Sequence, residues 1–114
     1  MHEIRYSPDF NKDYIKLKQK VDLGSNESLY ILNLINKATI ILSKDINAGK
    51  KIPKNLWPKE YIQKYDIKNL WKYNLDSNWR LVYTITGDSI DLFLIYLEYM
   101  KHKDYERKFN YRKS

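Results

Sequence analysis

Arg80, His102 and Tyr105 are residues of this sequence whose types could carry out chemistry on a phosphate ester. Arg80 is the only arginine between Arg5 and Arg107, and a guanidinium can hold two phosphate oxygens in a fixed geometry. A histidine titrates near neutral pH, and a tyrosine stacks on a base or donates a proton. Metal-free RNA cleavage needs a base for the 2′-hydroxyl, a cation for the phosphorane and an acid for the 5′-oxygen. The three side chains could supply these groups if the fold brings them to one face of a sheet.

Each of these residues also has an ordinary structural interpretation. Arg80 fits a solvated or salt-bridged arginine on the polar face of a strand, since structural ion pairs are common. His102 fits a surface or capping histidine. Tyr105 and Phe109 fit core packing, which is the interpretation we prefer for Phe109.

The stretch that must position Arg80 alternates like a strand with one buried face. The residues predicted to point toward a core are Trp79, Leu81, Tyr83 and Ile85, and those predicted to point away are Arg80, Val82, Thr84 and Thr86. We therefore predict that a helical layer covers one face and that Arg80 lies on the other. Leu94, in the following strand, should also be largely buried.

The remaining elements are predicted from local signals. Ser7-Pro8-Asp9 is typical of a helix start, with serine as the N-cap and proline at the first helical position. The predicted elements are a strand at 4–6, a helix from Ser7, a second helix from Asn26 or Ser28 to about Asn47, strands at 67–75, 79–86 and 90–98, and a helix at about 101–109. Gly49 is expected to stop the second helix. The apolar run of the last strand favours burial on both faces and a central position.

A basic connector, residues 49–66, separates the second helix from the strands. Two prolines in it block a long regular element. The lysines that we expect to contact RNA are Lys50, Lys51 and Lys54 in this connector, with Lys68 and Lys72 in the strand after it. Any one of these lysines is equally compatible with a solvated loop.

The composition bounds the class of protein. The chain has 114 residues, a net charge of +7 and no cysteine, which predicts a single domain, 1–114, whose plainest partners are nucleic acid or an acidic protein. No apolar run is long enough to span a bilayer and no signal core is present, so we expect a cytoplasmic protein without a membrane partner. Scattered acids and only three glycines predict neither a metal site nor a phosphate-cradling loop, and hence no cofactor.

The order of elements, with Arg80 on the middle strand of a meander and His102-x-x-Tyr105 just past it, resembles the RelE/ParE superfamily of small toxins. The segments that carry the resemblance are Arg5-Tyr6-Ser7 with Phe10, Asn69 to Tyr73, Trp79 to Tyr83 and His102 to Tyr105. The match is closest to the RelE-like messenger-RNA interferases of type II toxin–antitoxin modules. It implies an α+β domain of the microbial RNase type, with an N-terminal strand, a helical hairpin, an antiparallel three-stranded meander and a short terminal helix.

The resemblance also implies an activity and partners. Such a toxin is a metal-independent endoribonuclease that cuts messenger RNA, often on the ribosome, and a cognate antitoxin holds it in check. Carried over by residue, Arg80 matches the strand arginine near the scissile phosphate. His102 and Tyr105 match the C-terminal catalytic or base-contacting positions, and Lys68 and Lys72 match basic strand positions.

Two other functions fit the same sequence. One is a non-catalytic binding module of this fold, gyrase-directed or degenerate, that binds an antitoxin or nucleic acid. The other is a basic RNA-binding protein unrelated to toxins, for which the lysines of the connector are the main support. The pairing of Arg80 with His102 favours the endoribonuclease, because a protein that only binds has no need of a titratable group.

Overall fold

The computed structural model describes residues 1–109, in which four α-helices and five β-strands follow one another. In chain order they are β1 (Glu3–Tyr6), α1 (Pro8–Asp22), α2 (Asn26–Lys44), β2 (Lys50–Lys51), α3 (Lys59–Tyr65), β3 (Trp71–Asn74), β4 (Trp79–Gly87), β5 (Leu92–Lys101) and α4 (His102–Lys108). The strands form one sheet in the order β1-β5-β4-β3-β2. All neighbours are antiparallel except β1, which runs parallel to β5. The predicted α+β class is confirmed, and β5 lies inside the sheet as its apolar run indicated.

The helices α1 and α2 form a hairpin that covers one face of the sheet. Ser7 caps α1 as predicted, because its Oγ accepts a hydrogen bond from the backbone N–H of Phe10 at 3.0 Å. The core beneath the hairpin consists mainly of Phe10, Leu17, Ile31, Ile35, Leu42, Leu81, Tyr83, Leu94 and Tyr96. Leu81, Tyr83 and Leu94 are fully buried, as predicted. Trp79, predicted to be largely buried, is only half-buried, because it is the first residue of β4.

The predicted end of α2 near Asn47, with Gly49 as its stop, is wrong. The helix ends at Lys44, and the Asp45 carboxylate accepts a hydrogen bond from the Asn47 N–H at 3.0 Å, which turns the chain toward β2. Glycine is required at position 49 for a different reason. A Cβ at this position would lie 2.4 Å from the carbonyl oxygen of Lys72, so glycine is what allows the chain to approach β3 here.

The second face of the sheet is also covered, contrary to the expectation of a polar face. The connector at 49–66 forms β2, a 3-10 turn and α3, and α3 packs with α4 over this face. The second core consists of Ile52, Tyr61, Ile67, Leu70, Val82, Leu97, Tyr105 and Phe109. Val82 is fully buried and Thr84 nearly so. Arg80 shares this face with Val82, which places it opposite the hairpin as predicted.

A β-bulge in β5 supplies residues that contact α3 and α4, the helices that cover the second face of the sheet. Val82 pairs with Glu98 but Tyr83 pairs with Tyr96, so Leu97 is an extra residue on β5. Leu97 enters the second core. The neighbouring Glu98 accepts a hydrogen bond from the hydroxyl of Tyr61 in α3, and its Oε1 lies 2.9 Å from Nζ of Lys108 in α4.

The first strand of the meander is shorter than the predicted 67–75. Asp66 ends α3 in a left-handed conformation. At Asn69 the side chain, and not the backbone, forms hydrogen bonds with the backbone of Ile85 in β4. Its Oδ1 accepts from the N–H of Ile85 at 2.8 Å, and its Nδ2 donates to the Ile85 carbonyl at 2.7 Å. Lys68 consequently lies outside β3.

Candidate functional site

Arg80 lies at the start of β4, with 8% of its surface exposed. Its Nη1 donates to the backbone carbonyl oxygens of Asp76 at 2.8 Å and Trp79 at 3.2 Å. Its Nη2 lies 2.9 Å from Nδ1 of His102. Its Nε has no hydrogen-bond partner in the described part of the chain. The guanidinium is thus held in place mainly by the turn before β4 and by the first residue of α4.

The contact with Arg80 fixes the orientation of the His102 ring. A guanidinium can only donate, so Nδ1 of His102 accepts in this contact and the neutral ring carries its proton on Nε2. Nε2 lies 3.4 Å from Oε2 of Glu106, and 41% of the His102 side chain is exposed. The backbone N–H of His102 donates to the carbonyl oxygen of Asn78 at 2.7 Å. The ring is therefore partly exposed, with its proton-bearing nitrogen next to the Glu106 carboxylate.

The turn at 76–79 positions Arg80 and His102, and Asp76 holds this turn together. Its Oδ1 accepts the backbone N–H groups of Asn78 and Trp79, each at 2.8 Å, and its Oδ2 accepts the hydroxyl of Tyr30 at 2.6 Å. The hydrogen bond from Tyr30 has the largest effect and lowers the pKa of Asp76; burial, the next largest effect, opposes it, and the two backbone bonds and the charge of Arg80 lower the pKa further. The sequence indicated only a turn here. An aspartate that opens a turn was the available signal.

Two lysines extend the positive charge across neighbouring strands. Lys50 on β2 pairs with Lys72 on β3, and Lys72 pairs with Val82 on β4, two residues from Arg80. Burial lowers the pKa of Lys72, and the charges of Arg80 and Lys50 lower it further. None of these three cations forms an ion pair within residues 1–109. The site is therefore a concentration of positive charge without a neutralising carboxylate in contact.

Tyr105 lies beside this cluster but inside the second core. Only 5% of its surface is exposed, and its ring stacks on Phe109 with the centroids 4.5 Å apart. Nζ of Lys72 lies 5.1 Å from the centroid of the Tyr105 ring, a cation–π arrangement. Phe109 is a core residue, as we expected from the sequence. The ring of Tyr105 thus supports Lys72, and in this packing it has no open face on which a base could stack.

The other predicted lysines form a second group. Lys51, Lys54 and Lys68 line a shallow cavity of 360 Å³ together with Trp57, whereas Lys50 and Lys72 lie by Arg80. Lys68 lies 3.6 Å from Asp66 in an exposed pair. The structure therefore separates the five candidate RNA-binding lysines into two neighbouring groups.

Neither a metal centre nor a membrane span is found among the described residues. Within residues 1–109, no group of three or more histidine, cysteine, aspartate or glutamate side chains is arranged to hold a metal ion. No helix in the same range is long and apolar enough to cross a membrane.

Comparison with solved structures identifies the fold. The chain superimposes on the YoeB/ParE toxin from Agrobacterium tumefaciens with a TM-score of 0.58, covering 88% of this chain and 98% of that one. This protein has the fold of a YoeB/ParE toxin. The two chains share 16% sequence identity, so the likeness lies in the fold. No protein-family model matches the chain, and no curated protein matches it in sequence. The fold expected from the resemblance to the RelE/ParE superfamily is confirmed.

Proposed function

We propose that this chain is the toxin of a type II toxin–antitoxin module and that it cleaves messenger RNA. The observation that carries the proposal is the cluster of Arg80, Lys72 and Lys50 beside His102. Arg80 is nearly buried and is in contact with no carboxylate among residues 1–109, and a bound phosphodiester would place a negative charge against it. The toxin fold supports the same function, and the net charge of +7 suits a nucleic-acid substrate.

Each group in the cluster has a role that follows from its contacts. His102 is the candidate general acid toward the leaving 5′-oxygen through Nε2, and the imidazolium that this role requires forms when a phosphate oxygen replaces Nδ1 as the acceptor of Arg80 Nη2. Lys72 has a lowered pKa, so a larger fraction of its amine is free to accept the proton of the 2′-hydroxyl. Arg80 has most of its N–H groups engaged, so it orients His102 and contributes charge to the phosphorane. Tyr105 holds Lys72 against its ring and lies next to the reaction centre.

A cognate antitoxin and the ribosome complete the proposed setting, in the cytoplasm. The hairpin exposes apolar side chains that an amphipathic antitoxin segment could cover, namely Ile15, Leu29, Tyr30, Ile40 and Ile41. An acidic antitoxin would also match the charge of the chain.

A second candidate function is a non-catalytic binding module of this fold. The observation that favours it is the state of Arg80, which is nearly buried and donates to two backbone carbonyls. Such an arginine could serve the fold alone, in which case the basic surface would bind an antitoxin or nucleic acid without cutting it.

Regulated expression in bacteria separates these candidates. The wild-type chain should arrest growth and shorten messenger-RNA lifetimes, and His102→Gln should relieve both effects. His2→Gln is the matched control, because His2 is the other histidine of the chain and its Nδ1 contacts the Leu92 carbonyl at the opposite end of β5. Growth arrest without RNA loss would favour the binding module, and arrest by His102→Gln equal to wild type would remove the proposed role of His102.

A further inference from the structure

We infer that the cavity around Trp57 is a nucleobase-binding subsite for single-stranded RNA, an inference that rests on the proposed function and deepens it. The cavity has a volume of 360 Å³ and is lined by Lys51, Ile52, Pro53, Lys54, Trp57 and Lys68. This volume falls within the range of about 300–1,000 Å³ that is usual for small-molecule sites. An aromatic ring framed by lysines is the arrangement by which proteins hold single-stranded nucleic acid without reading its sequence.

Trp57 is fixed rather than free to rotate. Its indole Nε1 donates to the carbonyl oxygen of Ile52 at 2.9 Å, and its backbone N–H donates to the carbonyl oxygen of Lys54 at 3.1 Å. Trp57 packs against the second core and is half-buried. A ring that is already held in place loses little conformational entropy when a base stacks on it.

The lysines of the cavity are available to phosphates. Lys51 and Lys54 are exposed and form no ion pair within the described part of the chain. Lys68 pairs with Asp66 at 3.6 Å, but the two side chains are 82% and 92% exposed, and such pairs contribute little. The cavity therefore has an excess of positive charge, which suits the backbone of RNA.

The position of the cavity fits an RNA strand that also reaches Arg80. Trp57 and Ile52 pack in the second core, on the face of the sheet that Arg80 shares, and Ile52 lies two residues from Lys50, which pairs with Lys72 beside Arg80. Neighbouring strands lie about 4.8 Å apart, so β2 and β4 are separated by roughly 10 Å. A strand held at the scissile phosphate by the cluster around Arg80 would thus place a base a few nucleotides away on Trp57.

The test uses a fluorescent 2′-O-methyl RNA hexamer, which lacks the free 2′-hydroxyl needed for cleavage and so reports binding alone. A second hexamer with the same charge carries abasic sites. Trp57→Leu should weaken binding of the first hexamer by about fivefold to 150-fold, the range for losing one base–aromatic stack. It should leave binding of the abasic hexamer unchanged, and Trp57→Phe should restore most of the affinity. Circular dichroism confirms that each variant is folded.

The lysines are tested by charge-matched variants. Replacing Lys51, Lys54 and Lys68 with glutamine should reduce the slope of log K against log salt by up to about 2, because each phosphate that is no longer neutralised removes about 0.7 from the slope. The same change at Lys16, Lys20 and Lys37 on the hairpin removes equal charge and should leave the slope nearly unchanged.

The outcomes distinguish this inference from the proposed function. The subsite would be overturned if Trp57→Leu lost the same affinity for both hexamers. It would also be overturned if the protein bound a hexaglutamate peptide more tightly than RNA. If the wild-type protein cuts no RNA but the base-dependent loss is observed, the subsite stands and the nuclease fails. If RNA is cut and Trp57→Leu binds both hexamers like wild type, the nuclease stands and the subsite fails.

Discussion

Replacing Asp76 with alanine tests whether one carboxylate holds the turn that positions Arg80 and His102. The substitution removes three accepted hydrogen bonds, from the N–H groups of Asn78 and Trp79 and from the hydroxyl of Tyr30. It also leaves the turn without the acceptor that keeps its backbone amides paired. The carbonyl oxygen of Asp76 accepts from Arg80, so loosening this turn should disturb the Arg80–His102 contact as well.

The magnitude follows from those bonds. The bond with Tyr30 is exposed and should contribute little, whereas each backbone bond contributes about 1 kcal/mol net. Asp76→Ala should therefore lower the free energy of unfolding by about 2 kcal/mol. A domain of this length has an unfolding entropy of about 240 cal/mol/K near 60 °C, so the melting temperature should fall by about 8 °C.

Asp76→Asn is the matched control for this prediction. Its Oδ1 can still accept both backbone N–H groups and its Nδ2 can donate to the Tyr30 hydroxyl. Urea unfolding followed by circular dichroism should give a loss below about 1 kcal/mol for asparagine. If Asp76→Ala lowers the free energy of unfolding at pH 7 by no more than Asp76→Asn does, Asp76 does not hold the turn. Arg80 and His102 must then be positioned by other contacts.

The pH dependence gives an independent check of the same residue. The pKa of Asp76 is lowered in the folded state, so its ionised form adds stability above the ordinary pKa of an aspartate, about 3.9. This contribution is lost as the pH falls through the lowered folded value. The difference in stability between wild type and Asp76→Asn should accordingly shrink below pH 4. A constant difference from pH 7 to pH 2 would contradict the lowered pKa.

Three further predictions concern the core, the cation cluster and the substrate. Leu81→Ala removes a fully buried side chain and should cost about 2–5 kcal/mol in chemical denaturation; a loss below about 0.5 kcal/mol would place Leu81 at the surface. Lys72→Met should raise the melting temperature at pH 7, because burial and two neighbouring cations oppose the charge of Lys72, and this gain should shrink as the pH rises toward about 10.4; destabilisation at pH 7 would refute the repulsion. Binding of RNA should weaken steeply between 50 and 200 mM salt because phosphate contacts release counterions, and a flat dependence would remove the nucleic-acid substrate.

The parts of the fold that could be predicted are those with local signals. Ser7 and Pro8 mark the start of α1 in the sequence, and the alternation from Trp79 onward gives β4 with its buried hairpin side. The second layer lacked such a signal. The seven residues of α3 are too few for a periodic pattern, and Pro53 and Pro58 indicate breaks in regular structure although Pro58 directly precedes the helix. The bulge at Leu97 depends on what packs against β5.

The candidate site was predictable in its residue types but not in its geometry. Arg80 and His102 stand out by chemistry, yet their contact depends on register. Arg80 pairs with Met100 and the backbone of His102 bonds to Asn78, so the two residues are not opposite one another, and the long side chain of Arg80 bridges the gap to the His102 ring. Asp76 gave no sign of its role beyond an ordinary turn. The separation of the lysines depends on the path of the connector, which the close approach at Gly49 sets.

His102, oriented by Arg80, is proposed to transfer a proton during cleavage of messenger RNA, and one kinetic comparison tests this role most directly. The measurement is single-turnover cleavage on programmed ribosomes, with His102→Gln compared against wild type and His2→Gln. We predict that wild type and His2→Gln cut at similar rates and that His102→Gln is slower by about 10²–10⁴-fold, the usual contribution of a general acid or base. Wild-type protein that leaves messenger RNA intact, with or without ribosomes, would contradict the proposed role.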